Sequence, residues 1–182
     1  MSGKKEPSGR RSVQLEVEVP GSTQSAVARR SAEAEVRTLI DKFAPPHPRL
    51  ISAMRRCLRK RLPTAHEVVY EYHNLGAVVI SFSPNEHGYE GVLGIRADAN
   101  GVKLFFGRGK ELPDPEKLLQ GPGKQQARWI SVEAASTLAR PEVARLIDET
   151  TARNPVPFAP SGRGSVVIRS TSAKPRARRR PA

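Results

Sequence analysis

The stretch VLGIRADANGVKLFFGRGKELPDPEKLLQGPGK, residues 92–124, carries the clearest local signals in this chain. Its first half alternates apolar and charged residues on both sides of Asn100-Gly101. That dipeptide is the strongest short signal for a β-hairpin, because a tight turn needs residues that tolerate positive φ. A two-residue loop there predicts three cross-strand pairs: Ala99 with Val102, Ala97 with Leu104, and Ile95 with Phe106.

The predicted hairpin has an apolar face and a polar face. The apolar face takes alternate residues of both strands, namely Leu93, Ile95, Ala97, Val102, Leu104 and Phe106. The polar face carries Arg96, Asp98, Lys103 and Phe105, and the predicted register sets Asp98 opposite Lys103. A slip of one residue would bury the charges and expose the apolar set, so the two faces are strongly specified.

The second half of the stretch predicts a short helix between two glycine-rich turns. Asp114-Pro115-Glu116 is typical of a helix start, and Gly121 is expected to end that helix. The turns at 107–110 and 121–125 bring four basic residues near one edge of the predicted sheet: Arg108, Lys110, Lys124 and Arg128. These four are candidates for an anion site built with backbone N–H groups, although structural turns need such glycines equally.

Three longer helices are predicted outside this stretch. Apolar residues at helical spacing indicate a helix over 32–43, capped by Ser31, and a second over 48–61 beyond a proline bend. A third is expected from Pro141 to about Arg153. Its core-facing residues should be Val143, Leu146, Ile147 and Thr150.

The second helix combines one apolar side with many basic residues. Cys57 lies among the apolar positions, which predicts a buried structural thiol. The rest of the helix carries Arg49, Arg55, Arg56, Arg59, Lys60 and Arg61. We interpret this basic face as a solvated surface. A binding site is the alternative interpretation.

Further strands complete the predicted fold. Residues 76–83 and 128–132 are rich in β-branched and aromatic residues, and Trp129, the only tryptophan, is expected to anchor the core. Residues 65–73 fit either a short helix or a strand, and the alternation over 13–19 fits a strand that needs a sheet edge to join. The sequence therefore predicts an α+β fold: an antiparallel sheet of about four to six strands, flanked by two N-terminal helices and one C-terminal helix.

Composition divides the chain into three parts. We predict a flexible basic arm over residues 1–31, a folded domain over 32–153 and a disordered basic tail over 154–182. The formal net charge is +13, and the tail holds basic residues but no acidic one. Such a tail favours nucleic acid, anionic membranes or acidic proteins, and it equally serves as a solvated segment. Its candidate polyanion contacts are Arg176, Arg178, Arg179 and Arg180.

Several classes of protein are disfavoured. A single cysteine excludes an internal disulfide and a zinc site made of this chain's cysteines alone. No apolar run approaches the roughly 20 residues of a membrane span, and no apolar segment follows the basic N-terminus as in a secretory signal. We therefore expect a cytoplasmic protein, and the oligomeric state stays open.

The sequence shows no catalytic pattern, so no enzyme activity and no cofactor are predicted. It lacks a Gly-x-Ser-x-Gly elbow, and residues 121–125 lack the spacing and hydroxyl of a P-loop. His66, Glu67, Glu71 and His73 are close in sequence and would hold a cation only if their side chains converged. No metal site is assigned.

Three segments carry a family resemblance: KLFFGRGKELPDPEKLLQGPGK, RWISVEAA and PEVARLIDETTA. With the two helices before them, they resemble the YdhG-like family, a bacterial domain of unknown function, over residues 34–153. The resemblance implies a small α/β fold likened to frataxin, and it implies the iron-chaperone role described for one family member. Frataxin-like iron handling relies on an acidic ridge, whereas this chain has a basic second helix and a net charge of +13, which argues against iron collection.

Two functions are predicted. The first is a non-enzymatic binding module that engages an anionic partner, nucleic acid or another polyanion, through the basic tail and the basic residues at the sheet edge. The alternative, by family analogy alone, is a frataxin-like iron or metal chaperone.

Overall fold

The alternating residues of the 92–106 stretch form two strands in the middle of a six-stranded sheet in the computed structural model, which describes residues 24–88 and 91–171. The strands are β1 (His66–Tyr72), β2 (Ala77–Ser83), β3 (Leu93–Asp98), β4 (Gly101–Phe106), β5 (Arg128–Ser131) and β6 (Val166–Thr171). Their order is β5-β4-β3-β2-β1-β6. The segment 65–73, which fitted a helix or a strand, is β1 followed by a short 3-10 turn at His73–Leu75.

Three helices supply the other half of the core: α1 (Ala26–Ile40), α2 (His47–Arg61) and α3 (Pro141–Ala152). Their apolar sides pack with one face of the sheet into a single cluster, in which Met54, Phe82 and Phe106 are fully buried. Short 3-10 turns at Gly109–Glu111 and Ala135–Ala139 link the outer elements. The predicted α+β architecture is confirmed, and so is the inward set of α3, since Val143, Leu146, Ile147 and Thr150 are all buried.

The hairpin has the predicted faces but not the predicted register. All six residues of the apolar face are buried, with at most 4% of each exposed. The pairs, however, are Ala97 with Val102, Ile95 with Leu104 and Leu93 with Phe106. The turn residues are Ala99 and Asn100, neither with positive φ, and Gly101 at φ 105° supplies the left-handed residue after them. A slip of two residues leaves every side chain on its face, so the apolar pattern cannot detect it.

Both N-terminal helices differ from the prediction, and α1 ends at Ile40 instead of Phe43. α1 begins six residues early, because the Ser25 side chain accepts a hydrogen bond from the Ala28 amide (3.2 Å) and caps the helix in place of Ser31. That first turn buries nothing, so it carries no apolar signal. In α2, Cys57 is exposed, not buried. The inward position belongs to Arg55, only 8% exposed.

The predicted short helix after Asp114 does not form. The Asp114 carboxylate accepts hydrogen bonds from the amides of Leu118 (2.9 Å) and Leu119 (2.8 Å), and Lys117, which precedes them, has φ 53°. The aspartate thus closes a wide turn of its own, which competes with the helix it would otherwise cap. The prediction of helix there was wrong.

The sheet is mixed, because β6 runs parallel to β1. Residues 166–171 lie in the segment predicted to be a disordered tail, and the prediction of a purely antiparallel sheet missed this strand. β6 is held at its start by the Glu67 amide, which donates to the Ser165 carbonyl (2.8 Å). On its free edge, the Gln24 side chain bonds both the N–H and the C=O of Val166 (3.0 and 2.8 Å).

A ring of four charged side chains joins α1, α2 and β1. Arg55 donates to Glu67 (2.5 Å) and Glu33 (2.9 Å), and Arg59 donates to the same two carboxylates. Glu67 and Arg55 are almost fully buried, whereas Glu33 and Arg59 have about 30% of their side chains exposed. Burial raises the pKa of Glu33, but the two arginines outweigh burial and lower it, so the carboxylate stays ionised. We call this set the charged ring.

His66 makes the start of β6 sensitive to pH. Its Nδ1 accepts a hydrogen bond from the Ser165 amide (3.2 Å). Burial lowers the pKa of His66 below its ordinary value, with Glu86 opposing the shift. The unfolded chain therefore takes up the proton more readily, and the folded state should lose stability as pH falls through about 6.5. Urea denaturation at pH 7.5 and 5.5 should show a smaller loss for His66→Asn, whose amide oxygen still accepts but does not titrate.

The matched control is His87→Asn, since His87 is exposed. That variant should show the same loss between the two pH values as the unchanged protein. Equal losses for His66→Asn and the unchanged protein would contradict the assignment to His66.

Candidate functional site

The sheet has a second face that no described helix covers, and the turn after β2 lies against this face only at Val68 and Tyr70 on β1 and at Ser81 on β2. Strand alternation puts Tyr70, Val79, Arg96, Lys103, Phe105, Trp129 and Arg169 on this outer face, opposite the strand residues that join the core. The rings of Tyr70, Phe105 and Trp129 are each partly exposed there. An open sheet face that combines aromatic rings with basic side chains is the most distinctive surface of the described chain.

A basic row crosses this outer face from β4 to β6. Lys103 pairs with Arg96, Arg96 with Val79, Val79 with Tyr70, and Tyr70 with Arg169. Neighbouring strands lie about 4.8 Å apart, so this row spans about 19 Å. Three of its five residues are cations.

An aromatic pair lies beside the basic row. Trp129 on β5 is opposite Phe105 on β4, and Phe105 is opposite Gly94 on β3. A Cβ at Gly94 would lie 2.6 Å from Phe105 Cε1, so the missing side chain lets the ring lie flat on the sheet. Trp129 was predicted to anchor the core and lies on the outer face instead, because β5 turns its other side, Ile130, inward.

The outer face holds a groove of about 480 Å³, which we call the outer-face groove. The sheet contributes Arg96, Lys103, Phe105 and Trp129, and the loop over 121–127 contributes Gln125 at the rim. That loop follows the turn predicted from Gly121 and carries Lys124, which is exposed. The groove therefore has a flat apolar floor and cationic sides.

The charges in the groove are fixed by short contacts. Lys103 Nζ lies over the Trp129 ring, 5.3 Å from its centroid. Arg96 Nε donates to Asp98 (2.9 Å), and the Asn100 amide donates to the same carboxylate (2.9 Å). Burial favours a higher pKa for Asp98, but these two hydrogen bonds and the charges of Arg96 and Lys103 together outweigh burial and lower the pKa. Asp98 thus stays ionised and orients Arg96, whose charge it offsets. Lys103 therefore gives the groove its net positive charge.

The four residues predicted for an anion site do not share this groove. Arg108 pairs with Glu111 (2.8 Å) and lines a separate groove of about 310 Å³ at the end of α3. The Arg128 guanidinium donates to the carbonyls of Gln125 (2.5 Å) and Ala127 (2.9 Å), which holds the 121–127 loop. Lys110 and Lys124 are exposed and form no ion pair with a described residue. Of the four, Lys124 and Arg128 are next in sequence to residues that line the outer-face groove.

The candidate residues of the two ends lie outside the described residues. This applies to the tail residues Arg176, Arg178, Arg179 and Arg180, and to the strand predicted over 13–19.

The residues considered for a cation do not converge. His66 and Glu67 are neighbours on β1 and point to opposite faces. Glu67 belongs to the charged ring, whereas Glu71 pairs with Lys42 (2.5 Å) and lies 3.3 Å from His73. Within residues 24–88 and 91–171, no three His, Cys, Asp or Glu side chains are grouped as a metal ion would require.

Part of the outer-face groove was visible in the sequence. The predicted polar face of the hairpin contained Arg96, Lys103 and Phe105, and an aromatic ring among charges was the available signal. Trp129 was assigned to the core on composition alone, because the pairing of β5 with β4 is not encoded in any local pattern.

No family model, curated protein or solved structure matches the chain. Among the described residues, no helix is both long enough and apolar enough to cross a membrane.

Proposed function

We propose that the protein binds single-stranded nucleic acid in the outer-face groove. The supporting observation is the pair of partly exposed rings, Trp129 and Phe105, on an open sheet face beside Lys103 and Arg96. Single strands are bound by aromatic platforms that stack bases and by basic grooves that follow the phosphates. This proposal narrows the predicted anionic partner to one class and moves its contact from the sheet edge to the sheet face.

The energies of the competing contacts favour a bound base. The ammonium of Lys103 over Trp129 contributes about 0.5–1 kcal/mol at an exposed site. A base stacked on an aromatic ring contributes about 1–3 kcal/mol. A base can therefore displace the lysine from the ring, and the freed ammonium is then available for the adjoining phosphate.

The same geometry disfavours a double helix in this groove. In a duplex the bases are paired and stacked on one another, so their faces are not available to Trp129 or Phe105. Phosphate contacts from Lys103, Arg96 and Lys124 would be all that remained. A single strand gains both kinds of contact and can continue along the basic row toward Arg169.

Trp129 is the only tryptophan, so its fluorescence reports the proposed contact directly. Titration with an oligonucleotide of about ten to twenty unpaired bases should quench this fluorescence saturably, because the base stacks on the indole. Heparin, a polyanion without bases, should leave the fluorescence unchanged even if it binds. Saturable oligonucleotide binding by anisotropy without quenching would refute the outer-face groove as the site.

Two variants separate the groove from general electrostatics. Lys103→Ala should weaken oligonucleotide binding several-fold, whereas Arg145→Ala, which removes an equal charge from an exposed residue of α3, should change it little. A tail truncation must end after Thr171, since an earlier cut removes β6. Such a truncation should lower affinity and its salt dependence while quenching persists.

The remaining expectations are separate proposals. Membership of the YdhG-like family, a bacterial source and a cytoplasmic location are supported by the sequence resemblance and composition. The iron or metal chaperone stays a prediction by analogy, and no specific contact among the described residues favours it. Titration with ferrous iron and detection of stoichiometric binding at micromolar metal would establish it.

A further inference from the structure

The second helix presents three cations that pair with no acidic residue in the part of the chain that the structure describes. α2 has no acidic residue. Arg55 and Arg59 point into the charged ring, and Arg61 pairs with Asp148 on α3 (2.6 Å). Three basic residues are left: Arg49, Arg56 and Lys60. All three are exposed and make no ion pair with any residue the structure describes.

These three residues form a straight stripe along α2, which we call the α2 stripe. They are separated by seven and four positions, and at 100° per residue they fall within about 20° of one line. With a rise of 1.5 Å per residue, the stripe is about 16 Å long. The exposed arginines of α3 and its cap differ, because Arg140, Arg145 and Arg153 each pair with a glutamate. The positive charge of the α2 stripe is thus aligned, and no described residue compensates it.

We propose that the α2 stripe binds the phosphate backbone of double-stranded nucleic acid. A rigid row of cations fits a rigid rod with one negative charge per about 1.7 Å of axis, and guanidinium groups bond phosphate oxygens in pairs. The stripe carries no aromatic residue, so it offers no stacking to single-stranded bases. Its contacts are with phosphates, and they carry no sequence preference.

A membrane surface fits the same charges less well. A helix that lies in a membrane interface buries an apolar face among the lipids. The apolar face of α2 is Leu50, Ile51, Met54 and Leu58, and all four are buried in the protein core. The exposed large apolar residues of the described chain, Val27, Leu75 and Val156, lie outside α2. At a membrane, only the charge of the α2 stripe would contribute to binding. A row of charges without an exposed apolar face fits the phosphates of a duplex better than it fits a membrane.

The α2 stripe and the outer-face groove lie on opposite sides of the sheet, because α2 packs on the core face. The stripe does not depend on the function proposed for the groove. If both surfaces bind, one molecule can hold a duplex on its helices and a single strand on its sheet. The protein would then bridge two nucleic-acid segments.

Cys57 provides a probe beside the stripe. It is the only cysteine, it is exposed, and it follows Arg56 directly. A duplex seated on the stripe should slow alkylation of Cys57 by a neutral reagent such as N-ethylmaleimide several-fold. A single-stranded oligonucleotide at a concentration that saturates Trp129 quenching should slow it much less. Binding of duplex by anisotropy with no slowing of alkylation would overturn the proposal.

Charge removal gives the second test. Arg49→Ala, Arg56→Ala and Lys60→Ala combined should weaken duplex binding by at least about tenfold near 0.1 M salt, and should reduce the slope of log K against log salt by about 2.7. The control combines Arg140→Ala, Arg145→Ala and Arg153→Ala, which removes the same charge from exposed residues of α3 and its cap. Equal losses in the two triple variants would show a general charge effect and overturn the assignment to the stripe.

The two proposals fail separately in these measurements. If no oligonucleotide quenches Trp129 under any condition, the proposal for the outer-face groove is refuted. Protection of Cys57 by duplex then still tests the α2 stripe. Conversely, protection of Cys57 by an acidic protein or by anionic vesicles, but not by duplex, would overturn the α2 stripe and leave the quenching result intact.

Discussion

Replacing Glu67 with alanine should destabilise the fold by about 3–5 kcal/mol, because it leaves the buried guanidinium of Arg55 with one carboxylate instead of two. Arg55 already has one buried nitrogen, Nη2, without an acceptor among the described residues. Glu33, the remaining acid of the charged ring, is itself partly exposed. Urea denaturation at pH 7.5 measures the loss as a shift in the free energy of unfolding.

Two further variants test whether the cost is that of an unpaired buried charge. The double variant Glu67→Met with Arg55→Met should recover most of the stability, since apolar side chains of similar volume often replace a buried ion pair without loss. Glu116→Ala breaks the exposed pair with Arg145 (3.1 Å) and should cost less than about 1 kcal/mol. If Glu67→Ala costs no more than Glu116→Ala, the charged ring does not stabilise the fold as argued.

Gly164→Ala should detach the edge strand β6. A Cβ there would overlap the carbonyl oxygen of Ala65 and lie 2.7 Å from the His66 amide nitrogen, and both are backbone atoms that have little room to move. The Gly164 carbonyl also accepts a hydrogen bond from Arg29 (2.6 Å). We expect a loss of about 3 kcal/mol or more in the free energy of unfolding, with faster hydrogen exchange of the amides shared by β1 and β6.

Gly123→Ala is the matched control, since a Cβ at Gly123 meets nothing within 4 Å. It should be neutral or should stabilise the protein by about 0.4–1 kcal/mol through the unfolded chain. Gly164→Ala with normal exchange protection in β6 would show that the 163–165 loop can shift without cost.

The sequence was sufficient for elements whose residues repeat at the period of a helix or strand. The inward faces of β3, β4 and α3 were predicted residue by residue, because burial selects apolar side chains at those periods. The register of the hairpin was not predicted correctly, since a shift by two residues leaves every side chain on the same face of the sheet. Asp114 and Lys117 show a second limit of the prediction. A helix cap and a turn that an aspartate side chain closes begin with the same residues, so the sequence alone does not distinguish them.

The candidate site depended on contacts that have no local signal. Trp129 faces outward only because β5 pairs with β4 in one register, and Arg55 faces inward only because Glu33 and Glu67 meet it from two other elements. The strand β6 lies in the segment assigned to the tail, because its partner β1 is about one hundred residues earlier. Long-range pairing decided each of these cases.

The bond between Gln24 and Val166 fixes where the two ends of the chain leave the domain. Residue 24 sits at the start of β6, and residue 171 ends the same strand about 17 Å further along. Both basic ends are therefore tethered to one side of the molecule. Under the proposal that both basic ends contact a long polyanion, they would act as two linked ligands, and the second contact would form at a high effective concentration once the first is made.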